Sequence, residues 1–160
     1  MKNKVLFGMI LMMSLTLLSA TCSSDDDGIN PNDNSQEIAE ITSTAESGIW
    51  RITSYMDSGQ DETNDFAGYN FTFGTDGVLT ANNGSTTMTG TWSVTDSNSS
   101  DDSSSDDDID FNMFFPVSDS NPFEDLNDDW DMVSHTSNRF ELMDVSGGNG
   151  GTDTLILEKN

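Results

Sequence analysis

The chain has 160 residues, and its 5 Lys and Arg against 29 Asp and Glu give a formal net charge of −24. Such a length allows one ordinary domain. The charge excludes a nucleic-acid-binding protein, which needs a basic face for phosphates, and it disfavours electrostatic docking on anionic lipid. The single cysteine, Cys22, excludes an internal disulfide and any multi-cysteine metal site.

The N-terminus has the pattern of a secretory leader. Lys2 and Lys4 precede an apolar run over residues 5–18, and small residues follow that run. The run is too short to span a bilayer comfortably as a permanent helix. The pattern therefore predicts a signal peptide over residues 1–21, with an uncleaved membrane anchor as the alternative.

The leader ends in Ser19-Ala20-Thr21-Cys22, which resembles the lipobox of bacterial lipoproteins. In that family the cysteine becomes the first mature residue and carries acyl chains such as palmitate. A lone thiol in an oxidising, exported compartment has no partner within the chain, so lipidation of Cys22 explains it economically. Several acyl chains would anchor the protein stably in a membrane. A free thiol after ordinary cleavage is the alternative.

The segment after Cys22 predicts an acidic tether. Residues 23–28, Ser-Ser-Asp-Asp-Asp-Gly, resemble the stretch that signals export to the outer face in Bacteroidetes-type surface lipoproteins; a solvated linker is the alternative. Residues 22–36 have no apolar period and are predicted to be disordered. The resemblance implies an outer-membrane protein at the cell surface, with its folded domain over residues 37–160.

The remainder predicts one helix followed by strands. Apolar side chains at helical spacing predict a helix over residues 36–46 with Ser35 as its N-cap, and Gly48 ends it. Beyond it, apolar and polar residues alternate between frequent turn signals. The predicted strands span residues 50–56, 66–73, 78–81, 87–95, 109–115, 130–136, 139–145 and 154–159.

The turns connecting these strands favour a meander. Asp76-Gly77 and Asn83-Gly84 suit tight hairpins, residues 96–108 contain no apolar side chain and predict a solvated loop, and residues 122–126 predict one helical turn. Short strands in sequential order predict an all-β fold: an up-and-down antiparallel eight-stranded barrel, or a strongly curved sheet. The interior of such a barrel is filled by side chains or holds one small ligand.

Gly48-Ile49-Trp50, which opens the first strand, resembles the Gly-x-Trp motif of lipocalins, whose tryptophan plugs the closed end of the barrel. Further similarity to a bacterial lipocalin-like lipoprotein domain lies in residues 66–73, 77–81, 90–94 and 155–159. The resemblance implies a lipocalin-like barrel that binds a small hydrophobic ligand. It also implies a basic residue that caps the tryptophan, either Lys159 or Arg139, whereas the lipocalin Thr-x-Asp motif is absent at the turn between the sixth and seventh strands.

The candidate ligand-binding residues are large apolar side chains expected to face the barrel interior. They are Trp50, Ile52, Tyr69, Phe71, Phe73, Trp92, Phe111 and Phe140. The alternative is that they form a packed core, because a domain of this size without a disulfide can spare few large side chains from packing.

The sequence offers no catalytic constellation, so we expect no enzyme and no cofactor. His135 is the only histidine and no Gly-x-Ser-x-Gly elbow is present. One histidine and an acylated cysteine cannot form a His/Cys zinc site. Asp-rich segments at residues 101–102, 106–108 and 128–129 could bind divalent cations weakly, although they lack EF-hand spacing.

Two functions follow from these patterns. The first is a non-catalytic cell-envelope lipoprotein whose barrel binds a small hydrophobic ligand. The alternative is a surface adhesion or assembly module whose acidic loops meet a protein partner or divalent cations. An open apolar cavity would favour the first function, and a sealed core would favour the second.

Overall fold

A computed structural model describes residues 34–97, 108–145 and 151–160, without the side chains of Ser97 and Asp108. The predicted signal peptide, Cys22 and the tether up to residue 33 lie outside these residues. So do the Asp-rich residues 101–107 and the glycine-rich residues 146–150. Within the described part, no helix has the length and apolar character needed to cross a membrane.

In the described residues one helix, α1 (Ser35–Glu46), precedes antiparallel strands. The strands are β1 (Trp50–Asp57), β2 (Gln60–Asp61), β3 (Asn70–Phe73), β4 (Val78–Asn82), β5 (Thr87–Ser97), β6 (Asp108–Phe114), β7 (Asp128–Thr136), β8 (Arg139–Asp144) and β9 (Asp153–Lys159). Two 3₁₀ turns lie at Thr63–Phe66 and Glu124–Leu126. The second of them confirms the helical turn predicted for residues 122–126.

The strands close into a barrel. Neighbours in sequence pair from β3 through to β9, and β1 pairs with both β3 and β9, which completes a ring of eight strands. The two-residue β2 stands outside this ring and pairs only with the end of β1. The predicted up-and-down antiparallel eight-stranded barrel with a short N-terminal helix is thereby confirmed, and the sheet is closed rather than open.

One seam of the barrel is weakly paired. β1 pairs with β9 from Trp50 to Met56, but with β3 only at Trp50 and Phe71. Where β1 and β3 separate, the first 3₁₀ turn provides hydrogen-bond partners for the backbone of Tyr55. The N–H of Tyr55 donates to Thr63 Oγ1 at 2.9 Å, and Thr63 Oγ1 donates to the carbonyl of Tyr55 at 3.4 Å. A side chain thus satisfies backbone groups that would otherwise be bonded to a strand.

Most predicted boundaries agree with the structure within two residues, and two of the differences have a clear physical reason. The strand predicted for residues 66–73 begins only at Asn70, because Phe66 belongs to a 3₁₀ turn and Gly68 has φ +82°, outside the range of a regular strand. The helix begins one residue early, with Asn34 instead of Ser35 at the N-cap position. Asn34 Nδ2 donates to Asp96 Oδ1 of β5 at 3.2 Å, so its side chain holds the helix to the barrel.

Candidate functional site

The predicted interior residues on the strands occupy alternate positions, so their side chains face the interior of the barrel. Trp50, Phe71 and Phe140 are fully buried, whereas Tyr69 lies at the edge and is only partly buried. The other predicted interior residues are also buried: Ile52, Phe73, Trp92 and Phe111. The structure therefore brings the whole predicted set together, and the arrangement of the rings decides whether they line a cavity or fill a core.

A first group of rings, the helix-end cluster, surrounds the start of β1. Its members are Trp50, Phe73, Trp92, Phe111 and Phe140. Trp50 and Phe140 stack with centroids 4.4 Å apart and an interplanar angle of 19°. Trp50 Nε1 also donates to the Ala45 carbonyl at 2.9 Å, so this end of the barrel is closed by α1.

A second group, the mouth cluster, fills the opposite end, which we call the mouth. Its members are Tyr55, Phe66, Tyr69, Phe71, Phe115, Phe123 and Trp130. Phe123 is central, with its centroid 4.9 Å from both Tyr69 and Phe115 and 5.5 Å from Phe66. Phe66 and Phe123 come from connecting segments, so these segments insert rings into the mouth from outside the sheet.

Together the two clusters use nearly all the aromatic residues of the chain. Of its 3 Trp, 2 Tyr and 9 Phe, only Phe7, which lies outside the described residues, and the exposed Phe114 belong to neither cluster. Contacts between ring centroids within the clusters span 4.4–6.2 Å, the range of packed aromatic pairs. The described interior is therefore a ring-filled core.

Lys159, and not Arg139, is the basic residue over the tryptophan. Lys159 Nζ lies 4.9 Å from the Trp50 ring centroid and donates to Ser47 Oγ at 2.8 Å. A Cβ atom at Gly48 would lie 2.8 Å from Lys159 Cε, so the absence of a side chain there leaves room for the lysine stem. Arg139 instead pairs with Glu141, with Nη1 and Oε2 2.7 Å apart.

Carboxylates gather at the mouth around Tyr55, whose hydroxyl donates to the Asp125 carbonyl at 3.2 Å. Burial, followed by nearby carboxylates, raises the pKa of Tyr55 well above its usual range. Partial burial raises the pKa of Asp125, and neighbouring negative charges raise it further. We call this surface the acidic mouth; it comprises Asp57, Glu62, Asp65, Glu124 and Asp125.

Asp128 and Asp129, predicted to bind cations, lie at the start of β7. Burial of Asp128, a side-chain hydrogen bond with Asp129 and the charge of the buried Asp144 raise the pKa of Asp128 from 3.8 to about 7. A carboxyl group that holds its proton near neutral pH is a poor calcium ligand. Over the described residues, no group of three or more His, Cys, Asp or Glu is placed to hold a metal ion.

His135 contacts the helix and not a nucleophile. Its Nε2 lies 3.4 Å from Glu37 Oε1 of α1. The side chain of His135 is 18% exposed and that of Glu37 is 56% exposed, so the contact is accessible to solvent. Together with the bond between Asn34 and Asp96, it fixes the first turns of α1 against the barrel.

Among the pockets formed by the described residues, three lie on the outer side of the barrel. The first, of 440 Å³, is a groove on the wall with both polar and apolar lining residues: Thr91, Trp92, Ser93, Asn112, Met113, Phe114, Asn127 and Asp128. The others, of 370 and 250 Å³, flank α1. The groove was not predicted from the sequence. The signal that could have indicated it is Phe114, an apolar residue on the outward face of β6, where the preceding outward residues, Asp110 and Asn112, are polar.

The fold and the site define a closed antiparallel barrel with a ring-filled interior. No protein-family profile matches the chain, and no curated protein matches it. Among solved structures, it is similar to the crystal structure of a DUF4847 family protein from Bacteroides vulgatus, with 19% sequence identity and a TM-score of 0.48. The similarity covers 75% of this chain and 97% of that one.

Proposed function

We propose that the protein is a non-catalytic lipoprotein of the outer membrane, anchored through acylated Cys22 and displayed at the cell surface, whose barrel binds a cationic protein partner at the acidic mouth. The observation that carries this proposal is the ring-filled interior. A barrel without an internal site acts through its outer surface, and the acidic mouth brings five carboxylates together on that surface.

Energetics favour a permanent core over a ligand cavity. Removing a buried phenylalanine or tryptophan ring from a core costs about 3–5 kcal/mol. A ligand entering the mouth would have to replace contacts of comparable size, because Phe123 alone touches the rings of Phe66, Tyr69, Phe71 and Phe115. The interior rings therefore serve stability first.

The charge distribution favours a cationic partner. Beyond the predicted leader the basic residues are Arg51, Arg139 and Lys159. Arg139 is paired with Glu141, and Lys159 lies over Trp50, so neither offsets the mouth. A surface with one sign of charge speeds the approach of an oppositely charged protein and excludes like-charged ones.

A hydrophobic ligand remains the second candidate, supported by the resemblance to lipocalins and by the position of Lys159 over Trp50. This function would require Phe66 and Phe123 to leave the mouth, since both rings are buried there, with exposures of 1% and 4%. Lipid bound in the barrel interior would therefore support the hydrophobic-ligand function, and an interior without lipid would support the function at the acidic mouth.

Zero-length carbodiimide cross-linking on intact cells tests the proposed partner, because it joins a carboxylate only to an amine in direct contact. We expect a discrete cross-linked product whose yield falls with salt. The mouth variant Glu62→Gln/Asp65→Asn/Asp125→Asn should lose it. The control Glu40→Gln/Glu46→Gln/Asp76→Asn, which neutralises as many carboxylates on other parts of the surface, should retain it.

Equal yields from both variants would contradict the assignment of the mouth. A second experiment measures the Tm of the same proteins with and without Ca²⁺ at millimolar concentration. A rise in Tm that only the mouth variant loses, without any cross-linked product, would replace the protein partner by a divalent cation.

A further inference from the structure

We infer that the groove on the outer wall is a binding site for a neutral saccharide, with Phe114 as the surface on which a sugar ring stacks. This site shares no residue with the acidic mouth, which it adjoins through the hydrogen bond from the Asn127 N–H to the Glu124 carbonyl, and it does not depend on membrane anchoring. The inference rests on the exposure of Phe114, on the chemistry of its neighbours and on the rigidity of the wall around it.

Phe114 is unusual among the aromatic residues of the described chain, because it is 54% exposed while the clustered rings are buried or partly buried. It pairs with Thr91 across β5 and β6, and Asn112 pairs with Ser93 one step along the same strands. Directly opposed side chains have Cβ atoms about 4.5–5.5 Å apart. A ring, two hydroxyls and an amide therefore form one contiguous patch on the wall.

The backbone around Phe114 is held on both sides. Gly90 of β5 has no side chain, and a Cβ atom there would collide with the carbonyl of Phe114 and touch the ring of Phe115. On the far side, the N–H of Phe115 donates to Asn127 Oδ1, and Asn127 Nδ2 donates to the Phe115 carbonyl at 2.9 Å. The ring is thus presented on a fixed strand, which reduces the entropy lost on binding.

The chemistry of the groove matches a neutral sugar. A pyranose has a face of C–H groups and a rim of hydroxyls; the electron-rich face of Phe114 suits the former, and hydroxyl and amide side chains suit the latter. Asp128 is the one ionisable side chain in the lining, and burial raises its pKa to about 7. A groove of 440 Å³ also lies within the range of about 300–1,000 Å³ usual for small-molecule sites.

The same features disfavour a peptide. β5 and β6 pair with each other throughout the groove, from Thr91 and Phe114 onward, so no peptide strand can be added between them. One exposed ring among hydroxyls and amides also provides no apolar row for the side chains of an amphipathic helix.

Saturation-transfer NMR of the full chain tests the inference. The probes are glucose, galactose, mannose, N-acetylglucosamine and the disaccharides of each, with glucuronic acid as a charged comparison. We expect transfer to the ring C–H protons of at least one neutral saccharide, with Kd in the millimolar range or below. Phe114→Ala should weaken binding by about tenfold or more, whereas Phe114→Trp should preserve it.

Val133→Ala is the matched control, because Val133 is 52% exposed on β7 but does not line the groove. It should leave saccharide binding unchanged. Either of two results would overturn the inference: no neutral saccharide binding at concentrations up to about 10 mM, or equal affinity of the wild type and Phe114→Ala. Because Phe114 is exposed, its replacement should not unfold the barrel.

Discussion

Trp50 illustrates how one residue joins the helix, the sheet and the C-terminus. Its ring stacks on Phe140, its Nε1 binds the carbonyl of Ala45, and Lys159 lies over it. The Gly-x-Trp pattern located this residue in the sequence, but the choice between Lys159 and Arg139 depended on where β8 and β9 end. Pairing of Trp50 with Lys159 in the barrel register decides it.

Trp50→Ala should lower the free energy of unfolding by about 3–5 kcal/mol, because it leaves a large cavity beside Phe140 and removes a buried hydrogen bond. Urea denaturation followed by circular dichroism measures the change. Phe114→Ala is the control, since an exposed side chain should change stability by no more than about 0.5 kcal/mol. An unchanged midpoint for Trp50→Ala would show that the tryptophan does not close the barrel.

Asp128 gives the second prediction at this scale. Burial raises the pKa of Asp128 from 3.8 to about 7, so the folded chain binds this proton more tightly than the unfolded chain does. The stabilisation is complete below about pH 4 and is lost as the pH rises through about 7. After allowance for solvent screening, we expect a loss of roughly 1–3 kcal/mol from this group.

Asp128→Asn should flatten this decline, because an amide carries no charge at any pH. Denaturation midpoints of the wild type, Asp128→Asn and the exposed control Asp119→Asn, measured between about pH 4 and 8, make the comparison. Asp125, whose pKa is also raised by burial, acts in the same direction in all three proteins. Parallel pH profiles for the wild type and Asp128→Asn would rule out this role of Asp128.

The strands of the ring were largely predictable, because most of them have one buried and one exposed face, whereas the fully exposed β2 was not predicted. In β6, Ile109, Phe111 and Met113 alternate with polar residues and are all buried. The start of β3 was not predictable in the same way: Phe66 is as apolar and as buried as a strand residue, yet it belongs to a 3₁₀ turn. A buried position favours an apolar residue whether it lies in a strand or in a turn. Because this turn enters the barrel mouth and buries its ring as fully as a strand would, apolarity alone could not distinguish the two.

The seam between β1 and β3 yields a prediction for these elements. Thr63→Val should destabilise the barrel by about 1–3 kcal/mol, because valine preserves the shape but leaves the N–H of Tyr55 without its acceptor. Thr63→Ser should restore most of the loss, and Thr72→Val, at an exposed position of β3, should change little. Hydrogen exchange at Tyr55 should accelerate in Thr63→Val alone; unchanged exchange would show that Thr63 does not secure the seam.

For the whole molecule, sequential order and hairpin signals indicated the barrel, and pairing of β1 with β3 and β9 closed it. Whether the interior is hollow could not be read from the sequence, because the rings that seal the mouth come from turns. Phe123 lies 57 residues from Phe66 in the chain, yet their centroids are 5.5 Å apart. Such contacts arise because the segments that connect the strands pack against each other. No local pattern of apolar residues in the sequence indicates them.

We propose that the ring-filled interior of the barrel is a permanent core and that it binds no ligand. Native mass spectrometry of the full chain, purified from the envelope and offered an envelope-lipid extract, tests this claim most directly. We predict the mass of the protein with its covalent acyl groups and nothing more. A stoichiometric additional mass that survives gentle activation, and that is lost when Phe111→Trp fills the interior further, would contradict it.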